Sequence, residues 1–228
     1  MCRILALCAS EPLDVNPWIR AFADQCQASK EFQGHGWGVA SRTNERWLHH
    51  RSIQPIWEDA AHQAPESRLV IVHARSAFRN EGIEVGNNMP FVSKDLTFAF
   101  NGELRGVKLD VPGTTGAAKL FHLLERFRVS ADGDVGAALE RVDQVVARRS
   151  EHVRALNIVV SDGRQLWVNS HFADDPDYFT LNDAWLPEIS GGLRVVSSER
   201  FDVLGISPEW TAIPNHSLRV IPGEAPCS

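Results

Sequence analysis

Met1-Cys2-Arg3-Ile4-Leu5-Ala6-Leu7 opens the chain, and the place of Cys2 in it allows two readings. In one, an apolar run begins an interior strand and the cysteine is simply another buried residue. In the other, loss of Met1 makes Cys2 the first residue, which then carries both a thiol nucleophile and a free α-amine. That pairing is chemically apt. A thiolate is strong in acyl transfer, and an α-amine, with a reference pKa of about 8, can take the thiol proton near neutral pH. Position alone does not choose between the readings, so support has to come from the rest of the chain.

Strand-like runs recur beyond the first one, Arg3 to Ala9: Gly36 to Ser41, Arg68 to His73, Leu96 to Phe100, Ala155 to Val160, Gln165 to Ser170, Leu193 to Ser197 and Ser217 to Ile221. Ser161-Asp162-Gly163 between two of these marks a hairpin, because Asp-Gly tolerates the positive φ of a tight turn. Two helical segments lie between the fourth and fifth runs. Ala117, Leu120, Phe121, Leu124 and Phe127 follow helical spacing, as do Val135, Leu139, Val142 and Val146. Asn16 to Lys30 is a third helix candidate, with Pro17 suited to its first turn. Blocks of strands around a central helical pair predict an α+β fold of stacked sheets with helices outside them.

Composition narrows the setting. At 228 residues, with no repeat and no linker rich in Pro, Gly or Ser, the chain reads as a single domain spanning 1–228. A net charge of −6 with scattered Lys and Arg gives no basic face for nucleic acid or an anionic membrane. No secretory leader is evident, and no run approaches the roughly 20 apolar residues of a membrane span. The expectation is a soluble, cytoplasmic protein. Cys2, Cys8, Cys26 and Cys227 form no CxxC pair and no Cys/His cluster of zinc spacing, so neither a structural metal nor any cofactor is expected.

Two polar segments follow apolar runs in the middle of the chain. In Val72-His73-Ala74-Arg75-Ser76, Arg75 offers a planar fork that binds a carboxylate through two parallel hydrogen bonds; a structural ion pair is the plainer alternative. In Phe98-Ala99-Phe100-Asn101-Gly102-Glu103-Leu104, Asn-Gly after a strand is ordinarily a turn. Its functional reading is an oxyanion hole, with the Asn101 side-chain amide and the Gly102 N–H aimed at the oxygen that turns negative under thiolate attack. No Gly-x-Ser-x-Gly elbow supports a serine triad instead.

Taken together, Met1-Cys2-Arg3, Gly36-Trp37-Gly38, His73-Ala74-Arg75 and Phe98-Ala99-Phe100-Asn101-Gly102 stand in the order and at the spacing of a known family. The chain resembles the class II glutamine amidotransferase domains of the N-terminal-nucleophile hydrolase superfamily. It is most similar to the short stand-alone members that include the ergothioneine-pathway amidohydrolase. Val195 to Glu199, Trp210, Ile213-Pro214-Asn215 and Leu218 extend the match towards the end. The resemblance implies a four-layer αββα sandwich of two stacked antiparallel sheets flanked by helices. It also implies that Cys2 attacks a glutamine-like side-chain amide, forming a γ-glutamyl thioester and releasing ammonia. Carried over, Cys2 is nucleophile and base, Asn101 and Gly102 form the oxyanion hole, and Arg75 holds the substrate α-carboxylate. Trp37, His73 and Ser76 are candidates for lining the site, Trp37 as packing behind the nucleophile. The implied partners are a small-molecule amide and a separate ammonia-accepting synthase.

The chain departs from the family at several points. His35 stands where Asp is common, Phe100 where His is common, and Met89 replaces a histidine in Asn87-Asn88-Met89-Pro90-Phe91. The segment Thr114-Thr115-Gly116-Ala117-Ala118 lacks the family's carboxylate that holds the substrate amino group. Glu81, Glu84 and Asp95 are nearby in sequence, although exposed carboxylates are the ordinary case. The losses favour a substrate with an acylated or absent α-amine, or a degenerate amidotransferase fold that serves as a binding or regulatory subunit. A penicillin- or bile-salt-acylase-like hydrolase on the same broad fold is a third reading. His49 and His50, in a polar stretch after Trp47, are expected at the surface.

Overall fold

A computed structural model describes residues 1–59 and 63–223, so Cys227 lies outside the described residues. The elements are β1 (Arg3–Leu13), α1 (Asn16–Ala28), β2 (Trp37–Thr43), β3 (Arg46–Ser52), β4 (Ser67–Ala74), β5 (Phe91–Val92), β6 (Thr97–Arg105), α2 (Gly116–Ser130) and α3 (Val135–Arg149). They continue with β7 (His152–Ser161), β8 (Gln165–Ser170), α4 (Pro176–Phe179), β9 (Asn182–Leu186), β10 (Leu193–Ser197), β11 (Thr211–Ala212) and β12 (Ser217–Pro222). One sheet has the order β11-β9-β10-β1-β4-β2-β3, the other β12-β8-β7-β6-β5. Every named pairing is antiparallel.

The layers follow from alternation along the strands. On β1, Leu5, Leu7 and Ala9 pack with Trp18 and Phe22 of α1, while Ile4, Ala6 and Cys8 face Ala99, Val159 and Val168 of the other sheet. A strand covered on both faces needs apolar residues at every position, which is why this run reads as continuous rather than alternating. On β6, Phe98 and Phe100 turn outward to Leu120, Leu124, Leu139 and Val142 of α2 and α3. The result is α1, sheet, sheet, then α2 with α3: the four-layer αββα sandwich.

The local signals work as their chemistry requires. Pro17 sits in the first turn of α1. Thr115 caps α2 by accepting from Ala118 N–H at 3.1 Å, and Asp134 caps α3 by accepting from Ala137 N–H at 3.0 Å. Gly163 takes φ +89° in the turn between β7 and β8.

Two expectations need correction. Asn101-Gly102 is not a turn: β6 runs on to Arg105, with Asn101 opposite Asn157 and Gly102 opposite Leu156 on β7. The polar stretch around His49 and His50 is the edge strand β3; His49 is exposed as expected, whereas His50 is half-buried and meets Asp59 at 3.0 Å. β9, which has no strand-like apolar run, pairs with β10 and β11, and its Asp183 meets Arg194 of β10 at 3.3 Å and Arg219 of β12 at 3.0 Å. Among the described residues no helix is long and apolar enough to cross a membrane.

Candidate active site

Cys2 stands one residue before β1 and therefore shares the inter-sheet parity of Ile4 and Ala6. Its Sγ lies 3.7 Å from the Ser76 carbonyl oxygen. Ser76 itself follows β4, which pairs with β1 so that Arg3 faces Ala74. Burial raises the Cys2 thiol above its ordinary pKa, opposed by the Ser76 backbone and the positive charges of the N-terminus, Arg75 and Arg3. A thiol held protonated needs a base to become a nucleophile.

His73 is not that base. It is fully buried on β4, its pKa pushed down to about 3 by burial and by neighbouring Arg75. Neither ring nitrogen makes a hydrogen bond of good geometry among the described residues, and the contact with the Phe100 backbone is too poor to count as one. Trp37 also stands apart: at 1 % exposure it belongs to the core on the α1 face of the sheet, and its Nε1–H donates to Asp59 at 3.0 Å. Neither residue lines the cleft into which Cys2 opens.

That cleft encloses about 970 Å³ and is lined by Cys2, Arg75, Ser76, Phe100, Gly102 and Glu103 on the strand side. Glu81 and Gly82 line it from the loop after β4, and Thr114, Thr115, Gly116 and Ala117 from the start of α2. Arg75 is 8 % exposed. Its guanidinium donates to Asn88 Oδ1 at 3.1 Å and to the Glu81 carbonyl at 3.4 Å, and no carboxylate among the described residues forms an ion pair with it. The structural ion pair is thus not what Arg75 makes; with five donors and two in use, it retains capacity towards the cleft. Asn88 is the brace that sequence reading missed, because it also donates to the Ser52 carbonyl at 2.6 Å and so ties Arg75 to β3. His35 is a second brace. Its Nδ1 accepts from Ala77 N–H at 2.9 Å, which needs an unprotonated nitrogen, and burial together with Arg75 holds its pKa below the ordinary value.

Asn101 lies on β6 with the inter-sheet parity of Ala99, next to Gly102. Its carboxamide is completely buried, yet neither Oδ1 nor Nδ2 has a hydrogen-bond partner among the described residues. Such an orphan is costly in a folded interior, and its presence calls for a reason. The Gly102 N–H is placed by alternation. Phe100 N–H points off the β5 edge of β6, to Met89 Sδ at 3.3 Å, so the N–H two residues on points off that same edge. β5 pairs only as far as Phe98, which leaves the edge uncovered where it meets the cleft.

Gly102 must lack a side chain, since a Cβ there would sit 2.0 Å from the Ala155 carbonyl oxygen. Gly102→Ala should therefore force β6 and β7 apart and lower stability by about 1–3 kcal/mol, the range for overpacking. Denaturant unfolding measures this; an unchanged midpoint would show that the strands separate there without cost.

Of the carboxylates near the cleft, Glu81 lines it and makes no ion pair among the described residues, which leaves it as the one candidate there to hold an ammonium. Glu103 is occupied by Arg105 at 2.7 Å and Arg154 at 3.1 Å, which keep its carboxyl below the usual range. Asp95 pairs with Arg128 instead, and Glu84 does not line the cleft.

The family model for class II glutamine amidotransferases matches residues 1–175. The chain belongs to that family. Solved structures share the amidotransferase fold over nearly its whole length. A glutamine aminotransferase class-II domain protein from Silicibacter pomeroyi is 19% identical, with TM-score 0.58, over 99% of this chain and 100% of its own. A predicted glutamine amidotransferase from Pseudomonas aeruginosa is 16% identical, with TM-score 0.66, over 98% of each chain. The glutamine phosphoribosylpyrophosphate amidotransferase of B. subtilis is 16% identical, with TM-score 0.59, over 98% of this chain and 49% of its own. At such identities the likeness concerns the fold. No curated protein matches this class II amidotransferase chain.

Proposed function

We propose that the chain is an N-terminal cysteine amidase that cleaves a glutamine-like or γ-glutamyl side-chain amide through a thioester. The observation that carries this reading is the convergence of Cys2, Arg75 and the Gly102 edge on one cleft; the Asn101 carboxamide, next to Gly102 but not itself in the cleft lining, is buried without a partner among the described residues.

With Met1 removed, the Cys2 α-amine takes the Sγ proton as sulfur bonds to the amide carbon. The carbonyl π pair moves onto oxygen, where the Asn101 carboxamide and the Gly102 N–H meet the new charge. Collapse restores the carbonyl and breaks the C–N bond. The α-ammonium passes its proton to the departing nitrogen, so that ammonia leaves and a γ-glutamyl thioester remains. The same amine then takes a proton from water, hydroxide adds to the thioester, and the thiol departs with the proton returned. Arg75 holds a carboxylate at the far end of the substrate. Ammonia is then free or passes to a separate synthase, in the cytoplasm.

A non-catalytic binding subunit is the second reading, favoured by the missing carboxylate at the start of α2. Intact mass before and after a glutamine-mimicking diazoketone separates the two. The amidase reading expects loss of Met1 and a single adduct that Cys2→Ala abolishes. A chain that keeps Met1 and takes no adduct is the binding subunit.

A further inference from the structure

The backbone carbonyl of Met1 is held by two side chains from distant parts of the fold. Gln33 Nε2 donates to it at 2.6 Å, and the Tyr178 hydroxyl donates to it as well. Gln33 is fully buried, just before the Gly36-Trp37-Gly38 strand start, and its Nε2 also reaches the Glu31 carbonyl at 2.8 Å and Tyr178 Oη at 3.1 Å. Its Oε1, by contrast, is buried without a donor among the described residues. The carboxamide cannot simply be turned over, because Nε2 already faces two carbonyl oxygens. Tyr178 is fixed by Arg3, whose guanidinium lies 3.7 Å from the ring centroid and donates to the Tyr178 carbonyl at 3.0 Å.

This arrangement changes meaning once Met1 is gone. A carbonyl oxygen lies about 2.3 Å from the nitrogen of its own peptide bond, so both side chains already stand around the Cys2 nitrogen. Removal of Met1 takes away the acceptor they hold and leaves in its place an amine with N–H groups to donate. We infer that Gln33 and Tyr178 form the seat of the Cys2 α-amine, with Gln33 keeping Nε2 on the Glu31 carbonyl and presenting its unused Oε1 to the amine. Tyr178 Oη accepts a second N–H, and the nitrogen lone pair is left for the Cys2 thiol. Both are positioning residues, and the inference rests on the proposed amidase reading. Neutral acceptors suit a base, whereas a carboxylate in the same place would hold the amine as ammonium. Burial keeps the Tyr178 phenol protonated, its pKa pushed well above the ordinary value. The charged and titratable groups around the amine are Glu31, Arg3, Glu199, Arg75, His35 and the thiols of Cys2 and Cys26.

The test titrates the α-amine directly, by NMR of the mature full chain carrying 15N-cysteine. Gln33→Glu should raise the amine pKa by about one unit or more, as an opposite charge at this distance does. Gln33→Leu, which removes the acceptor, should lower it. Tyr178→Phe keeps the ring under Arg3 and should lower it too, which covers the case of a Leu variant that does not fold. A titration unmoved in the folded variants overturns the assignment and leaves Glu31 as the amine's partner. Diazoketone labelling of the parent chain is read alongside. Shifted titrations without a parent adduct retain the seat and reject the amidase. An isolated protein that still carries Met1 rejects both.

Discussion

Asn101→Ala is expected to slow amide turnover by ~10²–10³-fold, the usual cost of losing one oxyanion donor. The structure makes this substitution unusually clean. The Asn101 side chain is buried but donates and accepts no hydrogen bond among the described residues, so truncation breaks no polar contact within the fold. The loss should therefore fall on kcat, with KM and the unfolding midpoint changing much less, because the developing oxyanion is met only in the transition state. Steady-state kinetics on a glutamine-like amide, paired with denaturant unfolding, measures both. A variant as fast as the parent would remove Asn101 from the oxyanion role and leave its empty carboxamide without a purpose.

The second large effect concerns pH and stability. Folded His73 titrates at about 3 because burial and Arg75 disfavour its charged form, whereas an unfolded histidine titrates near 6.5. Between those values the unfolded chain binds a proton that the folded chain does not, so stability must fall as pH falls from about 6.5 towards 3. Above 6.5 neither state is protonated and the effect vanishes. The slope contributed by this one side chain approaches about 1.4 kcal/mol per pH unit within the window. His73→Leu removes it, and the gap between variant and parent should widen in the variant's favour from pH 7 down to pH 4. Carboxylates contribute slopes of their own in acid, which is why the difference between the two chains is the quantity to measure. Parallel curves would mean that His73 protonates as readily in the folded protein as outside it.

Much of the architecture is legible along the chain. The runs around Leu5, Ile71, Val159 and Val196 announce strands buried on both faces, and the apolar spacing from Leu120 to Val146 announces the two helices that cover one of them. The short polar strands were not legible. β9 pairs along β10 and β11 and its Asp183 meets arginines from β10 and β12, and nothing within Asn182-Asp183-Ala184 signals that these partners will arrive. The same holds for Asn101-Gly102, whose local preference is for a turn. Pairing along β7 overrides that preference, and the Ala155 carbonyl occupies the space a side chain would need. A signal for Asn88 was present in its position before Met89-Pro90-Phe91, but its role as the Arg75 brace required knowing that β3 lies within reach.

The sequence by itself determined the family, the long apolar strands and the three longer helices, and the candidates Cys2, Arg75, Asn101 and Gly102, because these depend on local chemistry and on order along the chain. Only the tertiary structure decided which of the remaining residues stand at the cleft. Trp37 and His73 lie buried within their strands while Ser76, just past the end of β4, reaches the cleft, and those placements are fixed by how the two sheets pack. Gln33 and Tyr178 meet at the Met1 carbonyl for the same reason: residues 145 positions apart become neighbours only when the chain closes around its own first residue.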